Sequence, residues 1–378
     1  MAQPIIAYAD GVDSALTAPA DVAGLLDVAA EEIAVLLGWM VGAPPWIDTD
    51  ITGATTMVGA ALRSAVAEGR IRYVPTRLSA VPRLLADTLR PTAVVVSGVR
   101  RGEALAYRGT VGWAPAACRV ADAVVVEVDD SAPDLGAPLI EGPVVAVVER
   151  PDIDVIPAPR SVDDIDRAVG RNVVELLPDG ATLQLGPGGI AEAILEAIER
   201  PVRIWSGLIT DSIASLAERG LLDGTATAGY VWGGEPIARL ADRGLLRLVP
   251  TEESHDVSHI ASIPRFVGCN TALEVGIDGS VNVERVRGRT VAGIGGHADF
   301  CGGAARSPGG LSVIALRSTG PRGHSSIVPE VEVVSTPRCD VDAVVTEHGV
   351  ADLRGLDDAE RRDAIAAIAA PEHHSSLA

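Results

Sequence analysis

The sequence predicts an α/β protein of two open domains with mainly parallel sheets, and three features carry that prediction. Continuous Val-rich runs such as Thr92-Ala-Val-Val-Val-Ser97, 121–127 and 143–148 read as strands buried on both faces. Stretches with helical spacing alternate with them, as βαβ units require. A Pro-rich break at 150–161 interrupts the pattern, which then restarts. The domains are set at 1–160 and 161–378.

Taken in order, residues 20–38 read as an amphipathic helix and Gly42-Ala-Pro-Pro45 ends it. Met57 to Gly69 reads as helical, Ile71 to Pro75 as a short strand and Leu78 to Leu89 as helical. In the second half, 163–177 and 190–199 read as helices around a strand at 181–185. Further strands are expected near 203–206, 245–249, 266–275, 289–294, 312–318 and 331–335. A last helix is expected over 357–369, with a frayed tail from Pro371.

Composition bounds the function. Only 3% of the residues are aromatic, so Ala, Val, Leu and Ile must fill the core. Every one of the 31 basic residues is Arg. The net charge of −20 repels phosphate backbones and anionic surfaces, so neither nucleic acid nor a membrane is an expected partner. Cys118, Cys269, Cys301 and Cys339 form no C-x-x-C pair and read as reduced thiols. No apolar run reaches membrane-spanning length and no secretory signal pattern opens the chain, so a cytoplasmic location is expected.

Two glycine clusters carry candidate chemistry. Ala181-Thr-Leu-Gln-Leu-Gly-Pro-Gly-Gly-Ile190 places Gly186, Gly188 and Gly189 between a strand and a helix, where backbone N–H groups converge on an anion or simply make a turn. Its G-x-G-G spacing is not a dinucleotide fingerprint. Val291-Ala-Gly-Ile-Gly-Gly-His-Ala-Asp-Phe300 is the second. Gly295 and Gly296 let a thioester or its oxyanion approach the backbone, or form a tight turn. His297 beside them contacts a ligand or serves the helix start. His255 and His259 have a zinc-compatible spacing without an evident third ligand, so a polar loop is the alternative and no metal is assigned. Cys301 lacks a visible partner base. Arg100-Arg101 reads as a solvated pair or a phosphate contact.

Residues 291–300, Ser307-Pro-Gly-Gly-Leu-Ser-Val-Ile-Ala-Leu-Arg-Ser-Thr319 and Val341-Asp-Ala-Val-Val-Thr-Glu-His-Gly-Val-Ala-Asp-Leu-Arg-Gly355 resemble, in order and spacing, the C-terminal domain of acetyl-CoA hydrolases and CoA-transferases, including 4-hydroxybutyrate CoA-transferases. Gly170-Arg-Asn-Val, Pro178 to Gly186, and Arg72 to Pro82 extend the likeness over about 55–370. The resemblance implies two open α/β domains of the CoA-transferase type, with acyl-CoA as substrate in the cleft between them. No other cofactor is implied. It also implies a small carboxylate acceptor and a homodimer. The implied chemistry runs through a glutamate that becomes a glutamyl-CoA thioester, with a backbone N–H of the G-I-G-G turn and a side-chain amide holding the oxyanion. It implies CoA binding at Gly186, Gly188, Gly189, Gly295, His297, Asp299 and Phe300.

One departure matters. The stretch matching the family's nucleophile is Ile204-Trp-Ser-Gly-Leu-Ile-Thr-Asp211, so Gly207 stands where the glutamate falls and Trp205 where a histidine falls. His255 falls at the oxyanion amide, and Gly296 keeps the glycine arm. Three readings stay open. The first is an enzyme without a glutamyl intermediate, using His255, His297, Asp211 or Glu274. The others are one subunit of a hetero-oligomer and an inactive binder of CoA or acyl-CoA. Glu274 and Glu347 also read as structural carboxylates.

Overall fold

The computed structural model describes residues 3–150 and 161–377, so the Pro-rich break lies almost wholly outside the described residues. It is a mixed α/β structure with two large, mainly parallel sheets. Two compact units arise. The first takes in the described residues of Met1–Ala158 with Thr227–Ser254 and Thr290–Gly295. The second takes in those of Pro159–Ala226 with His255–Arg289 and Gly296–Ala378.

In the first unit the strands lie in the order Ile71–Tyr73, Thr52–Thr55, Ala34–Leu37, Ile5–Tyr8, Ala93–Arg101, Ala123–Val128, Val144–Glu149. Every neighbouring pair along that path is parallel. Ala104–Tyr107 folds back antiparallel on Ala93–Arg101. The order reverses direction at Ile5–Tyr8, which makes the loop after that strand a topological switch point. Val94, Val95 and Val124 to Val126 are almost wholly buried, as expected of runs covered on both faces.

Residues 20–38 are not one helix. The helix covers Pro19–Leu25, Asp27 takes a positive φ of 54°, and Ala34–Leu37 forms a strand paired with Ile5–Tyr8. The Ala-Val-Leu-Leu run satisfies a helical period, but ladder pairing and burial on both faces decide its state.

Glu127 anchors this unit. It is fully buried and accepts hydrogen bonds from Leu16 N (2.8 Å), Thr17 N (2.7 Å) and Thr17 Oγ1 (2.7 Å). Arg150 Nη1 pairs with it at 2.8 Å. Two backbone donors, a hydroxyl and a guanidinium together compensate a charge that burial would otherwise disfavour.

In the second unit six strands follow the order Arg203–Thr210, Thr182–Leu185, Phe266–Asn270, Leu311–Ala315, Ala343–Thr346, Gly349–Asp352. All pairs are parallel except the terminal hairpin. The helix Asp164–Glu175 starts on a reciprocal cap, with Asp163 accepting from Ile165 N and Asp166 N while Asp166 reaches back to Asp163 N. Asp357 and Glu360 repeat the device at Asp358–Ala367.

Three expectations fail locally. Of 289–294 only Arg289–Thr290 is strand. Gly293 lies against Met57, where a Cβ would stand 2.9 Å from Met57 Cα. Residues 331–335 pair in no ladder, and the nearby strand is Ile327–Val328 beside Glu274–Gly276. The tail is not frayed: Pro371–Ser376 is a 3-10 turn and Leu377 is buried in the second unit's apolar core.

Glu127→Ala is expected to cost about 3–5 kcal/mol in urea unfolding, because Arg150 and the Leu16–Thr17 amides lose their shared acceptor. A loss below 1 kcal/mol would mean that solvent replaces the carboxylate readily.

Candidate functional site

The strand Arg203–Thr210 alternates, so Trp205 and Gly207 share one face while Ser206 turns to the other. Ser206 Oγ donates to Leu185 O at 2.9 Å, which ties that second face to the neighbouring strand. On the first face lie the helices Val257–Ser262 and His297–Ala304. They bring Ile260, Phe300 and Ala304 against Phe266, with Trp205 at the margin.

Between these elements sits His255. It is 1% exposed, so the polar-loop reading is corrected. Asp256 caps the next helix by accepting from Ser258 N at 2.8 Å, and His255 is the turn residue just before it. Its ring lies 4.7 Å from that of Phe300 at 53°. Two glycines border the ring pair. A Cβ on Gly207 would stand 3.1 Å from His255 Nε2 and 3.2 Å from Phe300 Cε2. A Cβ on Gly296 would stand 2.5 Å from His255 Nε2 and 3.1 Å from the same Phe300 carbon. Gly296 therefore tolerates no side chain beside this imidazole, and Gly207 tolerates one only if a ring gives way.

Burial pushes the His255 pKa down to about 3, so the ring is neutral at physiological pH. A neutral imidazole keeps one ring nitrogen as an acceptor. Gly296 is also the N-cap residue of His297–Ala304, and Phe300 N donates to its carbonyl at 3.0 Å.

The four sequence candidates Gly207, His255, Gly296 and Phe300 are thus brought together. Others face elsewhere. His297 Nδ1 shares a 2.8 Å hydrogen bond with Thr336 Oγ1 and lies 3.6 Å from Cys301 Sγ, and burial pushes its pKa down to about 4. Asp299 is fully buried. Glu274 accepts from Asn282 Nδ2 at 2.8 Å in a small separate sheet. Glu347 accepts from Ser318 N and Ser318 Oγ, a structural role. Gly295 has a positive φ of 55° and its carbonyl accepts from Leu78 N.

At the other turn, Gly188 takes a φ of 133°, a conformation that requires glycine, and a Cβ on Gly186 or Gly188 would meet open space. The Asp166 carboxylate already presses on Gly189. That carboxylate is paired with Arg317 at 2.7 Å.

Cys301 is buried and its thiol is pushed up to about 12, which removes it as a nucleophile. Among the described residues no group of three His, Cys, Asp or Glu is arranged for a metal. Arg100 and Arg101 pair with Asp130 and Asp134. Sequence reasoning missed the packing of Trp205 on His259, with centroids 4.5 Å apart. The strand alternation that puts Trp205 and Gly207 on one face was the available signal. Among the described residues no helix is long and apolar enough to cross a membrane.

Comparison with known proteins gives two family matches. Residues 38–157 match the acetyl-CoA hydrolase/transferase N-terminal domain and residues 237–378 the C-terminal domain. The 4-hydroxybutyrate coenzyme A transferase of Clostridium kluyveri is 30% identical over 345 residues, 85% of this chain and 79% of that protein. The acetyl-CoA hydrolase of Saccharomyces cerevisiae is 28% identical, covering 88% of this chain and 75% of its own. The crystal structure of RipA from Yersinia pestis superposes with a TM-score of 0.86 at 25% identity, over 99% of this chain and 92% of that one.

Between pH 6.5 and about 3 the unfolded chain binds a proton at His255 that the folded chain does not. The stability this burial carries above pH 6.5 is therefore lost as the pH falls, by at most about tenfold in the unfolding constant per pH unit. Thermal unfolding of His255→Gln is expected to lose less stability than the parent between pH 7 and pH 5. Parallel pH curves for the two proteins would contradict the buried neutral ring.

Proposed function

We propose that this chain, which belongs to the acetyl-CoA hydrolase and CoA-transferase family, acts on acyl-CoA thioesters without passing through a glutamyl-CoA. The observation that carries this reading is His255 beside Gly207, at the position the sequence matches to the family's nucleophile. A glycine supplies no carboxylate. The imidazole Nε2 lies 3.1 Å from where the first atom of such a side chain would stand.

Hydrolysis is the simpler outcome. CoA transfer through the enzyme needs a covalent carrier that holds CoA while the acids exchange. Hydrolysis needs only a base and an oxyanion site. Water gives a proton to the His255 ring as its oxygen bonds to the thioester carbon. The carbonyl oxygen collects negative charge near the backbone at Gly296, the C–S bond breaks, and the proton passes to the departing CoA sulfur. The products are a carboxylic acid and free CoA. A ring whose protonated form is this acidic is a weak base, so its rate gain is modest. Transfer to a small carboxylate, in a homodimer or with a carboxylate supplied by a partner subunit, is the alternative active reading.

A purely binding role is favoured by one specific observation. The His255 and Phe300 rings fill the space between Gly207 and Gly296, and a close-packed neutral pair can serve as the floor of a thioester pocket.

Thiol release from acetyl-, butyryl- and succinyl-CoA, with and without acetate, tests the proposal. Turnover in water is expected, unchanged by acetate and reduced about 10²-fold, the low end for general-base catalysis, in His255→Gln. Turnover only with acetate would establish transfer, and saturable CoA binding without turnover would establish the binder. His255 is neutral above about pH 5, so its own titration puts no break in the rate near neutrality. A break there reports another group.

A further inference from the structure

Such a group lies in the first unit. The segment Thr227–Ser254 belongs to that unit, and its last residue is bonded to His255. Backbone contacts fasten it to the 111–112 turn. Val111 N and Gly112 N donate to Gly229 O at 2.9 and 3.2 Å, and Thr251 N donates to Gly112 O at 2.8 Å. Its side chains add Trp232 beside Trp39, Glu252 paired with Arg119, and Tyr230, whose Oη donates to Asp10 Oδ2 at 2.7 Å.

Asp10 stands two residues beyond Ile5–Tyr8, at the switch point of the first sheet. It is 3% exposed and Tyr230 is 4% exposed. Room for the carboxyl comes from glycines on two other segments. Gly38 lies directly against the Asp10 side chain, and a Cβ on Gly112 would stand 2.5 Å from Asp10 Oδ1 and 2.9 Å from Tyr230 Oη. The groups acting on the carboxyl are the Tyr230 hydroxyl, the backbone N–H groups of Trp113 and of Asp10 itself, and the Asp13 carboxylate. No cation is among them. Burial, chiefly, raises the Asp10 pKa to about 7. Burial and Asp10 also raise that of the Tyr230 phenol, so it remains a donor.

We propose that Asp10 is a proton-operated latch: with the carboxyl neutral, Tyr230 and the segment Thr227–Ser254 stay docked, and ionisation loosens the segment that leads into His255. The consequence for catalysis rests on the reading of His255 given above; the latch itself does not. The docked form keeps its proton to about pH 7, whereas an exposed aspartate loses it near 3.8. Docking is therefore strongest below about pH 4, weakens about tenfold per pH unit up to about pH 7, and is level above that. Asp10 is a positioning residue in this scheme and touches no substrate.

Hydrogen exchange of peptides within Thr227–Ser254 tests the latch without any acyl-CoA, so a failed thioesterase assay leaves the result standing. With rates normalised for intrinsic chemistry, protection in the parent protein is expected to fall about fifteenfold from pH 5.5 to 7 and to level soon above that. Asp10→Asn is expected to lack that fall. Opening that also exposes His255 pulls the opposite way below pH 6.5, and the difference between parent and variant isolates Asp10. Protection independent of pH in the parent, or the same fall in Asp10→Asn, overturns the proposal. Should Asp10→Asn fail to fold, carboxyl NMR of the parent decides. One aspartate titrating near pH 7 supports the latch, and every aspartate titrating near 4 overturns it.

Discussion

The account depends on one close approach. Two backbone segments, at Gly207 and at Gly296, come up to a single buried ring pair, His255 on Phe300. Neither segment could hold its place with an ordinary side chain unless the rings moved. The same packing that crowds out side chains withdraws the imidazole from bulk solvent, and this keeps it uncharged. Steric fit and electrostatics are here one constraint: a charged or displaced ring would undo both.

The second unit delivers these groups by ordinary means. A parallel sheet aims alternate residues of Arg203–Thr210 at one face, and two short helices cover that face with apolar contacts from Ile260, Phe266 and Phe300. The helix His297–Ala304 begins at Gly296, the residue that borders the ring pair. The first unit solves a different problem, which is how to carry buried charge. Glu127 is matched by Arg150 and three other donors. Asp10 receives hydrogen bonds but no counter-charge, and the proton becomes its partner.

Much of this was legible in the residues. The Val-rich strands stood out because burial on both faces leaves no polar alternation, and the helix Asp164–Glu175 falls within the helical stretch read at 163–177. The failures share a cause. Residues 20–38 and the tail near Leu377 were judged by local period, whereas ladder pairing and core contacts distant in sequence decided them. At the site, motif order was enough to collect Gly207, His255, Gly296 and Phe300. It could not show that His255 is buried, nor that His297 turns to Thr336 and Glu274 to Asn282, because side-chain direction is set by the fold.

The most direct test replaces Gly207 with glutamate and asks whether the covalent route appears. Gly207→Glu would be incubated with acyl-CoA and borohydride, and its intact mass read for a reduced glutamyl-CoA product. The account predicts none in the single variant, because the His255 and Phe300 rings hold the space, and a product once His255→Ala clears it. A glutamyl-CoA formed by Gly207→Glu with His255 in place would contradict the central claim.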